Sequence, residues 1–314
     1  MNEQMLFSVV VPTCRRGRAL AALLERLHPE RQGLEPHVFE VIVSDDAMND
    51  PATERVRRQF PGVRFVAGPG RGPAANRNHG ARCARGEWLV FVDDDCQPSD
   101  GWLRAIASEI AARTLDVVEG KIVAPEKKIS IFRRDVENLH GDCFWSANLA
   151  VRRDFFERIG GFDEDFPQAG GEDLELASRF RTSGARTVFA AGALINHPSH
   201  IMSWRSVLEF AFRIRWHALY LLKTRQTLPE ETPLWKMIPH VIAYRTMHLA
   251  RTTVRHLTTA RHQPAILPTA VLELALFPVL LPYLIYWHVR FVKVRRARLL
   301  MQQAPATQPS SDLD

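Results

Sequence analysis

Three consecutive aspartates, Asp93, Asp94 and Asp95, follow the apolar run Trp88 to Val92. Their carboxylates repel one another unless a cation is present. Alternate residues of an extended segment point the same way, so Asp93 and Asp95 could share one face. Hard oxygen ligands favour Mg²⁺ or Mn²⁺, which commonly bridge to substrate phosphates. The motif predicts a divalent-metal site, and a solvated acidic turn is the alternative.

A second acidic pair, Glu172 and Asp173, follows two consecutive glycines. A carboxylate positioned by a tight turn beside an apolar helix could act as a general base. A helix cap explains the same pattern without any chemistry. His197 follows another apolar run and could be a further metal ligand, with His200 as a competitor for that role. For an isolated histidine, a purely structural role is the more common one.

A glycine-rich loop, residues 68–73, precedes a helix-like stretch that contains Asn76, Arg77 and Asn78. Glycines let the backbone approach a phosphate, and the start of the following helix favours anions. An ordinary turn is equally compatible with this pattern. The loop does not match the dinucleotide-binding fingerprint, because Pro73 stands where the third glycine belongs.

The elements that must position these residues alternate along the first half of the chain. Near-continuous apolar runs separated by helix-like stretches predict an α/β fold with helices on both faces of a sheet. Ligands of such sheets bind beyond the carboxyl ends of the strands. The predicted strands are Phe7 to Val11, Phe39 to Ser44, Val63 to Ala67, Trp88 to Val92, Val117 to Val123 and Thr187 to Ala190. The polar residues that follow the first four of these are therefore the candidate site.

Taken in order, the motifs resemble glycosyltransferase family 2 over roughly residues 7–200. They read SVVVPTCRR, VIVSDD, GRGPAANRNHGA, LVFVDDDC, FWSANLAVRRDFFERIGGFDEDF and GGEDLELASRFRTSGA. The resemblance implies the GT-A fold, a Rossmann-like mixed sheet flanked by helices. It also implies inverting transfer of a sugar from a nucleotide-diphosphate donor to a hydroxyl acceptor, with Mn²⁺ or Mg²⁺ as cofactor.

The resemblance also implies a role for each matching residue. Asp173 is expected to be the catalytic base, with Glu172 as its neighbour. Asp93 and Asp95 match the DxD motif, and the metal is expected at Asp95, Asp93 and His197, with Asp95 favoured as the direct ligand. Donor binding is expected from Pro12, Thr13, Arg15, Asp46, Arg77, Asn78, Asp93 and Asp94, with Asp46 recognising the base. Ser146 and Asn148 are expected to line the acceptor side.

Two departures from the family pattern qualify these expectations. Ala47 and Met48 replace the small residues that usually follow the acids of the second strand, which affects base recognition. The QxxRW signature of processive synthases is absent, because Arg215-Trp216 is only its last pair and the residues before it, Arg213 among them, supply no glutamine. The sequence therefore favours transfer of a single sugar.

The C-terminal third has a different character. Residues 233–311 contain ten Lys or Arg and one acid, Glu273, interleaved with long apolar runs. This composition predicts contact with an anionic lipid surface rather than with nucleic acid, for which no motif is visible. Residues 265–292 are about long enough to span a bilayer, but Glu273 and two prolines fit an in-plane or re-entrant pair equally well. A soluble helical subdomain is the remaining alternative.

The predicted organisation has three parts. Residues 1–202 form the catalytic domain, residues 203–300 form a helical membrane-associated region, and residues 301–314 form a disordered tail. This organisation places the protein at the cytoplasmic face of the inner membrane. It also predicts a lipid-linked or cell-envelope glycan as the acceptor.

Two other functions share part of this pattern. A sugar nucleotidyltransferase would carry a glycine-rich loop directly after the first strand, where this chain reads PTCRRGR. A non-catalytic, nucleotide-binding membrane scaffold would need no base beside its metal ligands, so the presence of both acidic motifs disfavours it. The four cysteines form no CxxC pair, which disfavours a zinc or redox site.

Overall fold

The computed structural model describes residues 5–47, 50–124 and 132–213, together with scattered positions between 216 and 290. The chain divides into two compact units, Met1–Val207 and Leu208–Asp314. The predicted tail at 301–314 and most of the predicted membrane-associated region at 203–300 lie outside the described residues. In the described part of the chain, no helix has both the length and the apolar character needed to cross a bilayer.

The first unit is built from strands and helices that alternate along the chain. The strands are β1 (Phe7–Thr13), β2 (Phe39–Asp45), β3 (Arg64–Ala67), β4 (Trp88–Phe91), β5 (Gln97–Pro98), β6 (Val117–Val123), β7 (Arg133–Arg134), β8 (Leu149–Arg152), β9 (Thr187–Asn196) and β10 (His200–Ile201). The helices are α1 (Gly17–Arg26), α2 (Pro29–Gln32), α3 (Pro51–Gln59), α4 (Pro73–Arg82), α5 (Trp102–Ala112), α6 (Arg153–Arg158) and α7 (Glu172–Thr182). A last helix, α8 (Trp204–Phe212), begins in the first unit and ends in the second.

Eight of these strands form one mixed sheet in the order β3-β2-β1-β4-β8-β6-β9-β5. The four strands from β3 to β4 are parallel, so their carboxyl ends lie along one edge. β8 then runs antiparallel to both β4 and β6. β9 returns parallel to β6, with an irregularity between Gly120 and Lys121. The sheet is therefore mixed, as the GT-A resemblance implies.

Side chains of the sheet point alternately to two cores, as the two-residue period of a strand requires. Val9 and Val11 of β1 lie in the core that α1 and α5 cover. Val10 of β1 and Phe91 of β4 lie in the other core, with residues of α4 and α7. Helices on both faces explain why the central strands read as continuous apolar runs.

The helices that border the carboxyl ends of the strands begin at residues that favour helix starts. Pro73 occupies the first turn of α4, where its missing N–H removes no hydrogen bond. Asp50 caps α3 by accepting a hydrogen bond from the Thr53 backbone N–H. The first turn of α7 carries Glu172 and Asp173, a placement that the helix dipole favours. Two acidic residues of the predicted site are thus fixed at a helix start.

Candidate active site

The carboxyl ends of β1 and β4 are joined by hydrogen bonds to Asp94. The Thr13 hydroxyl donates to Asp94 Oδ2 at 2.7 Å. The guanidinium of Arg16 donates to Asp94 Oδ1 at 3.1 Å and to Asp95 Oδ2 at 2.8 Å. Burial raises the pKa of Asp94 to about 6, despite the opposing effect of Thr13 and Arg16. Asp94 therefore lies in the wall that connects the two strands, with Arg16 as its counter-ion.

Asp95 lies beside two histidines. Its Oδ1 is 3.8 Å from His197 Nε2, and its Oδ2 is 3.7 Å from His200 Nε2. His197 Nδ1 is 3.0 Å from the Pro198 carbonyl oxygen, which can only accept a hydrogen bond. In the neutral ring this contact requires the proton on Nδ1, so the Nε2 lone pair remains for a cation. The predicted pairing of Asp95 with His197 is thus possible in this geometry.

A third potential ligand, Cys96, completes a group whose ligand atoms all lie within 4.8 Å of one another, together with Asp95 and His197. The Cys96 thiol is buried and is 3.8 Å from the Ala147 carbonyl oxygen. Burial and the neighbouring aspartates raise the pKa of this thiol. Metals bind the thiolate rather than the thiol, so Asp95 and His197 are the better donors of the group.

Asp93 contacts Arg77 rather than the two histidines. Arg77 Nη2 donates to Asp93 Oδ1 at 2.6 Å, and Arg77 Nη1 lies 3.5 Å from Glu172 Oε1. Burial would raise the pKa of Asp93, but the charge and hydrogen bond of Arg77 outweigh it and lower that pKa. Glu172 Oε2 also accepts from the Gly170 backbone N–H at 2.7 Å. A single buried arginine therefore connects the end of β4 to the start of α7.

Asp173, the predicted base, lies next to this network. Its Oδ1 is buried and meets no hydrogen-bond partner among the described residues. Burial and the charge of Glu172 raise the pKa of Asp173 to about 7, while Arg77 and the nearby Ser146 hydroxyl act in the opposite direction. A carboxylate with a pKa near neutrality can both accept and release a proton at physiological pH.

The loops before α4 and α7 approach each other closely at Gly72. Gly72 has a φ of 95°, and a Cβ at this position would collide with the carbonyl oxygen of Pro167. In the same loop, the Gly70 backbone N–H donates to Asp46 Oδ1 at 2.9 Å. Asp46, the predicted base-recognition residue, thus holds the glycine-rich loop through one oxygen. The remaining predicted donor residues, Pro12 and Arg15, lie at the end of β1 and in the exposed turn after it.

Asn78 and Asn148 are hydrogen-bonded within the fold. Both amide hydrogens of Asn78 are used, by the Phe162 carbonyl and by Glu164, and its oxygen accepts from the Phe162 N–H. The amide of Asn148 is used in the same way, by the Lys121 and Ala193 carbonyls and by the Trp102 indole N–H. Both side chains are buried and stabilise the fold, and their roles beside donor and acceptor stay predictions.

Residues 138–148, which include Ser146, are held by one buried carboxylate. Glu119 of β6 accepts hydrogen bonds from the backbone N–H groups of Asp142, Cys143 and Phe144, and from Asn138 Nδ2. Asp142 and Phe144 have φ values of 69° and 52°, a region that non-glycine residues seldom adopt. Burial raises the pKa of Glu119, and the backbone hydrogen bonds oppose that rise. This carboxylate therefore stabilises a backbone path that the sequence alone disfavours.

Three residues of this site are absent from the sequence predictions or only marginal in them. Arg16 was one of two adjacent arginines, and no pattern shows which of them faces the aspartates. His200 was only a competitor of His197, yet both rings lie near Asp95. Glu119 lies in the mainly apolar strand β6, and a buried acid between Val118 and Gly120 is the signal that could have identified it.

The sequence that forms most of this site matches a known protein family. The sequence model described as glycosyl transferase family 2 matches residues 8–172, more than half of the chain. The chain belongs to glycosyl transferase family 2. This matched range begins within β1, contains the glycine-rich loop, the three aspartates and Glu172, and ends one residue before Asp173.

Curated relatives of this family-2 chain include glycosyltransferases from bacteria and archaea. Validoxylamine A glucosyltransferase of Streptomyces hygroscopicus subsp. limoneus is 29% identical over 221 residues, which are 57% of this chain and 48% of the relative. Glycosyltransferase AglE of Haloferax volcanii is 26% identical over 233 residues, 66% of this chain and 71% of the relative. The chain thus spans about half the length of the first of these two relatives.

Solved structures share the fold at lower identity. Mannosyltransferase PcManGT from Pyrobaculum calidifontis, in complex with GDP-Man and Mn²⁺, has a TM-score of 0.54 and 19% identity. The match covers 96% of this chain and 80% of PcManGT. S. aureus TarS 1-349, in complex with UDP-GlcNAc, has a TM-score of 0.51 and 21% identity, with 69% and 67% of the two chains covered. The likeness shows a GT-A-like fold.

Proposed function

We propose that this family-2 protein is an inverting, metal-dependent glycosyltransferase that moves a single sugar from a nucleotide-diphosphate donor to an acceptor hydroxyl. The observation that carries the proposal is the link from Asp93 through Arg77 to Glu172. It joins the aspartate cluster after β4 to the acidic pair that starts α7. A scaffold that only bound a nucleotide would need no base beside the aspartates, so this convergence favours catalysis.

The donor class follows from the family and from the polar end of the sheet. PcManGT was solved with GDP-Man, and TarS was solved with UDP-GlcNAc. In this chain the donor diphosphate is proposed to lie at the carboxyl ends of β1 and β4. Arg16 is the cation available there, since half of its side chain is exposed beside Asp94 and Asp95. A guanidinium is suited to charge-assisted hydrogen bonds with phosphate oxygens.

A divalent cation fits the group around Asp95. A carboxylate oxygen and the Nε2 of a neutral imidazole are ligands that Mn²⁺ accepts, and Asp95 and His197 would hold it. When bound, the cation neutralises the charge that grows on the departing diphosphate. Asp93, which was also predicted as a ligand, gives one oxygen to Arg77 and lies outside the group around Asp95, so we assign it a supporting role.

Asp173 is proposed to act as the general base. Its buried Oδ1, which is without a partner in the described part of the chain, takes the proton from the acceptor hydroxyl. The acceptor oxygen then forms a bond to the anomeric carbon while the bond from that carbon to the phosphate oxygen breaks. The electron pair of the broken bond leaves with the diphosphate. A single displacement of this kind inverts the configuration at the anomeric carbon.

The acceptor is proposed to be a lipid-linked or cell-envelope glycan, used at the cytoplasmic face of the inner membrane. The support is compositional: residues 233–311 combine ten basic residues with apolar runs and a single acid. Partitioning tests this part of the proposal. Recovery of the full-length protein in the soluble fraction after lysis without detergent would contradict it.

The catalytic proposal is tested by binding and turnover together. UDP, GDP and dTDP are each added with Mn²⁺ to the wild type and to Asp95→Asn, and thermal unfolding is measured. Ligand at about 100 times its dissociation constant stabilises by roughly 2.7 kcal/mol. We expect a metal-dependent shift with one nucleotide in the wild type, and its loss in the variant.

Asp173→Asn separates a transferase from a nucleotide-binding scaffold. The variant should keep the nucleotide shift and lose a factor of about 10²–10⁴ in donor turnover, the usual contribution of a general base. Near-normal turnover in Asp173→Asn would show that the base is a different residue. The absence of a shift with every nucleotide, from folded protein, would favour the scaffold.

A further inference from the structure

Arg77 is a buried cation surrounded by carboxylates. Only 6% of its side chain is exposed, and its guanidinium lies 2.6 Å from Asp93 and 3.5 Å from Glu172. The ring of Phe162 lies under the guanidinium, 5.6 Å from its centre. Since an arginine side chain keeps its charge in proteins, the charge of Arg77 is permanent in this environment.

We infer that Arg77 is a positioning residue, which holds the base-bearing turn of α7 against the end of β4 rather than binding the donor. This inference rests on the proposed function, since it assumes that Asp173 is the base. It replaces the role in donor binding that the sequence predicts for Arg77.

The mutual repulsion of the surrounding carboxylates is the first argument. Asp93, Glu172 and Asp173 all act electrostatically on Arg77, and all three are acids. Carboxylates brought together without a cation repel one another and favour separation or protonation. The arginine therefore allows the end of β4 and the first turn of α7 to approach each other.

The path from Arg77 to the base is the second argument. Glu172 contacts Arg77 with one oxygen and accepts from the Gly170 N–H with the other, at 2.7 Å. This pair of contacts fixes the turn from which α7 starts, and Asp173 is the next residue of that turn. A change in the Arg77–Glu172 contact is thus transmitted directly to the carboxylate of Asp173.

Accessibility is the third argument. A phosphate would have to reach a side chain of which only 6% is exposed, between Asp93 and Glu172. Arg16, by contrast, has half of its side chain exposed at the same end of the sheet. The two arginines therefore have different roles. Arg16 is exposed and can contact the donor, whereas Arg77 is buried and holds Asp93 and Glu172 close together.

The test measures donor binding and donor turnover separately and needs no knowledge of the acceptor. Wild type, Arg77→Lys and Arg77→Met are assayed for Mn²⁺-dependent hydrolysis of UDP-glucose, UDP-N-acetylglucosamine and GDP-mannose. Affinity for UDP and GDP is measured by calorimetry. With the sugar nucleotide that the wild type hydrolyses, we expect kcat to fall about 100-fold in Arg77→Met, with nucleoside diphosphate Kd changed by less than about twofold.

The control and the conservative variant separate positioning from general damage. Arg82→Met removes an arginine from the same helix, where more than half of the side chain is exposed and its ion pair with Glu164 spans 3.6 Å. It should retain wild-type kcat and Kd. Arg77→Lys keeps the charge but cannot reach both acids in the planar fork of arginine, so it should restore kcat only in part.

If Arg77→Met does not fold, Arg77→Lys and Glu172→Gln carry the test. Each should lower kcat without changing Kd, and their combination should lower kcat less than the product of the two effects, because both break one contact. An increase in Kd of tenfold or more with unchanged kcat would make Arg77 a donor-binding residue. Unchanged kcat in Arg77→Lys and Glu172→Gln would also overturn the inference.

Failure of the proposed function gives a different result. A wild type that binds neither nucleotide and hydrolyses no sugar nucleotide would refute the proposed activity itself. A wild type that turns over the donor, with Arg77 variants that share its kcat, would refute only the positioning role.

Discussion

Two regions of the site are fixed in place by different means. The carboxyl ends of β1, β2 and β4, which we call the donor edge, are placed by the ladder of a parallel sheet. Residues 138–148, by contrast, lie outside that ladder until β8 begins, and the carboxylate of Glu119 holds them through their backbone N–H groups. The donor edge therefore depends on many weak contacts, and the segment 138–148 depends on a few strong ones.

The donor edge and the segment 138–148 differ in how easily one substitution can disrupt them. Register errors at the donor edge would move whole apolar strands from one core to the other, which the buried side chains on both faces prevent. In the segment 138–148, one substitution at Glu119 removes the acceptor for three consecutive amides. Asp173 receives an influence from each region, since Arg77 and Ser146 both lower its pKa.

Glu119→Gln is the substitution from which we expect the largest effect, because it changes the acceptor that holds the segment 138–148. Hydrogen bonds to a charged group contribute about 1.5–3 kcal/mol each, and the amide end of glutamine would face backbone donors. We expect the free energy of unfolding to fall by about 3 kcal/mol or more. The half-buried thiol of Cys143, inside the segment, should also react faster with a thiol reagent, as measured by peptide mapping of the labelled protein.

Glu40→Gln is the matched control for this prediction. Glu40 is also a buried carboxylate that accepts a backbone N–H, from Arg85 at 2.8 Å, but it lies in β2. The control should lower the stability and leave the labelling rate of Cys143 unchanged. Equal labelling of Cys143 in both variants would show that the segment does not depend on Glu119.

The second prediction concerns pH. A base acts only in its deprotonated form, so donor turnover should fall as pH drops through the pKa of Asp173, about 7. Below that value the rate should fall about tenfold per pH unit, whereas an ordinary aspartate would remain active to about pH 4. Because the Ser146 hydroxyl lowers this pKa, Ser146→Ala should move the rising limb of the profile to higher pH.

The pH–rate profile of sugar-nucleotide hydrolysis, with Mn²⁺ at a saturating concentration, checks this prediction. Asp173→Asn supplies the control, since its residual rate should lack the rising limb. A limb that stays at the same pH in Ser146→Ala would show that the segment 138–148 does not influence the base.

The smallest effect is expected from Asp142→Gly, which should stabilise the segment 138–148 rather than disrupt it. Asp142 has a left-handed φ of 69°, and its charge lies near that of Glu119. Asp142→Gly removes both the backbone strain and the repulsion, so we expect a gain of about 0.5–1 kcal/mol in the free energy of unfolding. Chemical denaturation of both proteins measures it. A loss of stability would mean that the Asp142 side chain contributes more than its backbone costs.

Much of the fold could be predicted from the periodicity of the sequence. The predicted strand at Val117 to Val123 has the bounds of β6, and the run Phe39 to Ser44 falls one residue short of β2. The predicted strand Thr187 to Ala190 is only the beginning of β9, which continues to Asn196. The small residues Ala191, Gly192 and Ala193 hide the continuation. The helix α5 and the strand β8 were not predicted, although β8 makes the sheet mixed.

The site residues of the sequence stay predictions, and the structure adds their geometry. The motifs single out Asp95 and His197, and the structure brings their side chains together. The motifs could not give the hydrogen bonds of Asn78 and Asn148, because their partners, Phe162 and Ala193, are distant in sequence. An asparagine that satisfies buried backbone groups and one that faces a ligand look the same in a linear motif.

The close approach at Gly72 has a consequence for which substitutions the protein tolerates. Gly62 has open space around its Cα and no left-handed backbone, whereas Gly72 has a left-handed φ and the Pro167 carbonyl against it. A saturation library selected for folded protein should accept many residues at position 62 and return glycine alone at position 72. In the sequence the two positions look alike, since both are glycine. Gly62 needs glycine only as far as the local turn prefers it, whereas Gly72 needs glycine because two loops approach each other there. Variation at position 72 is thus constrained by a residue 95 positions away in the chain.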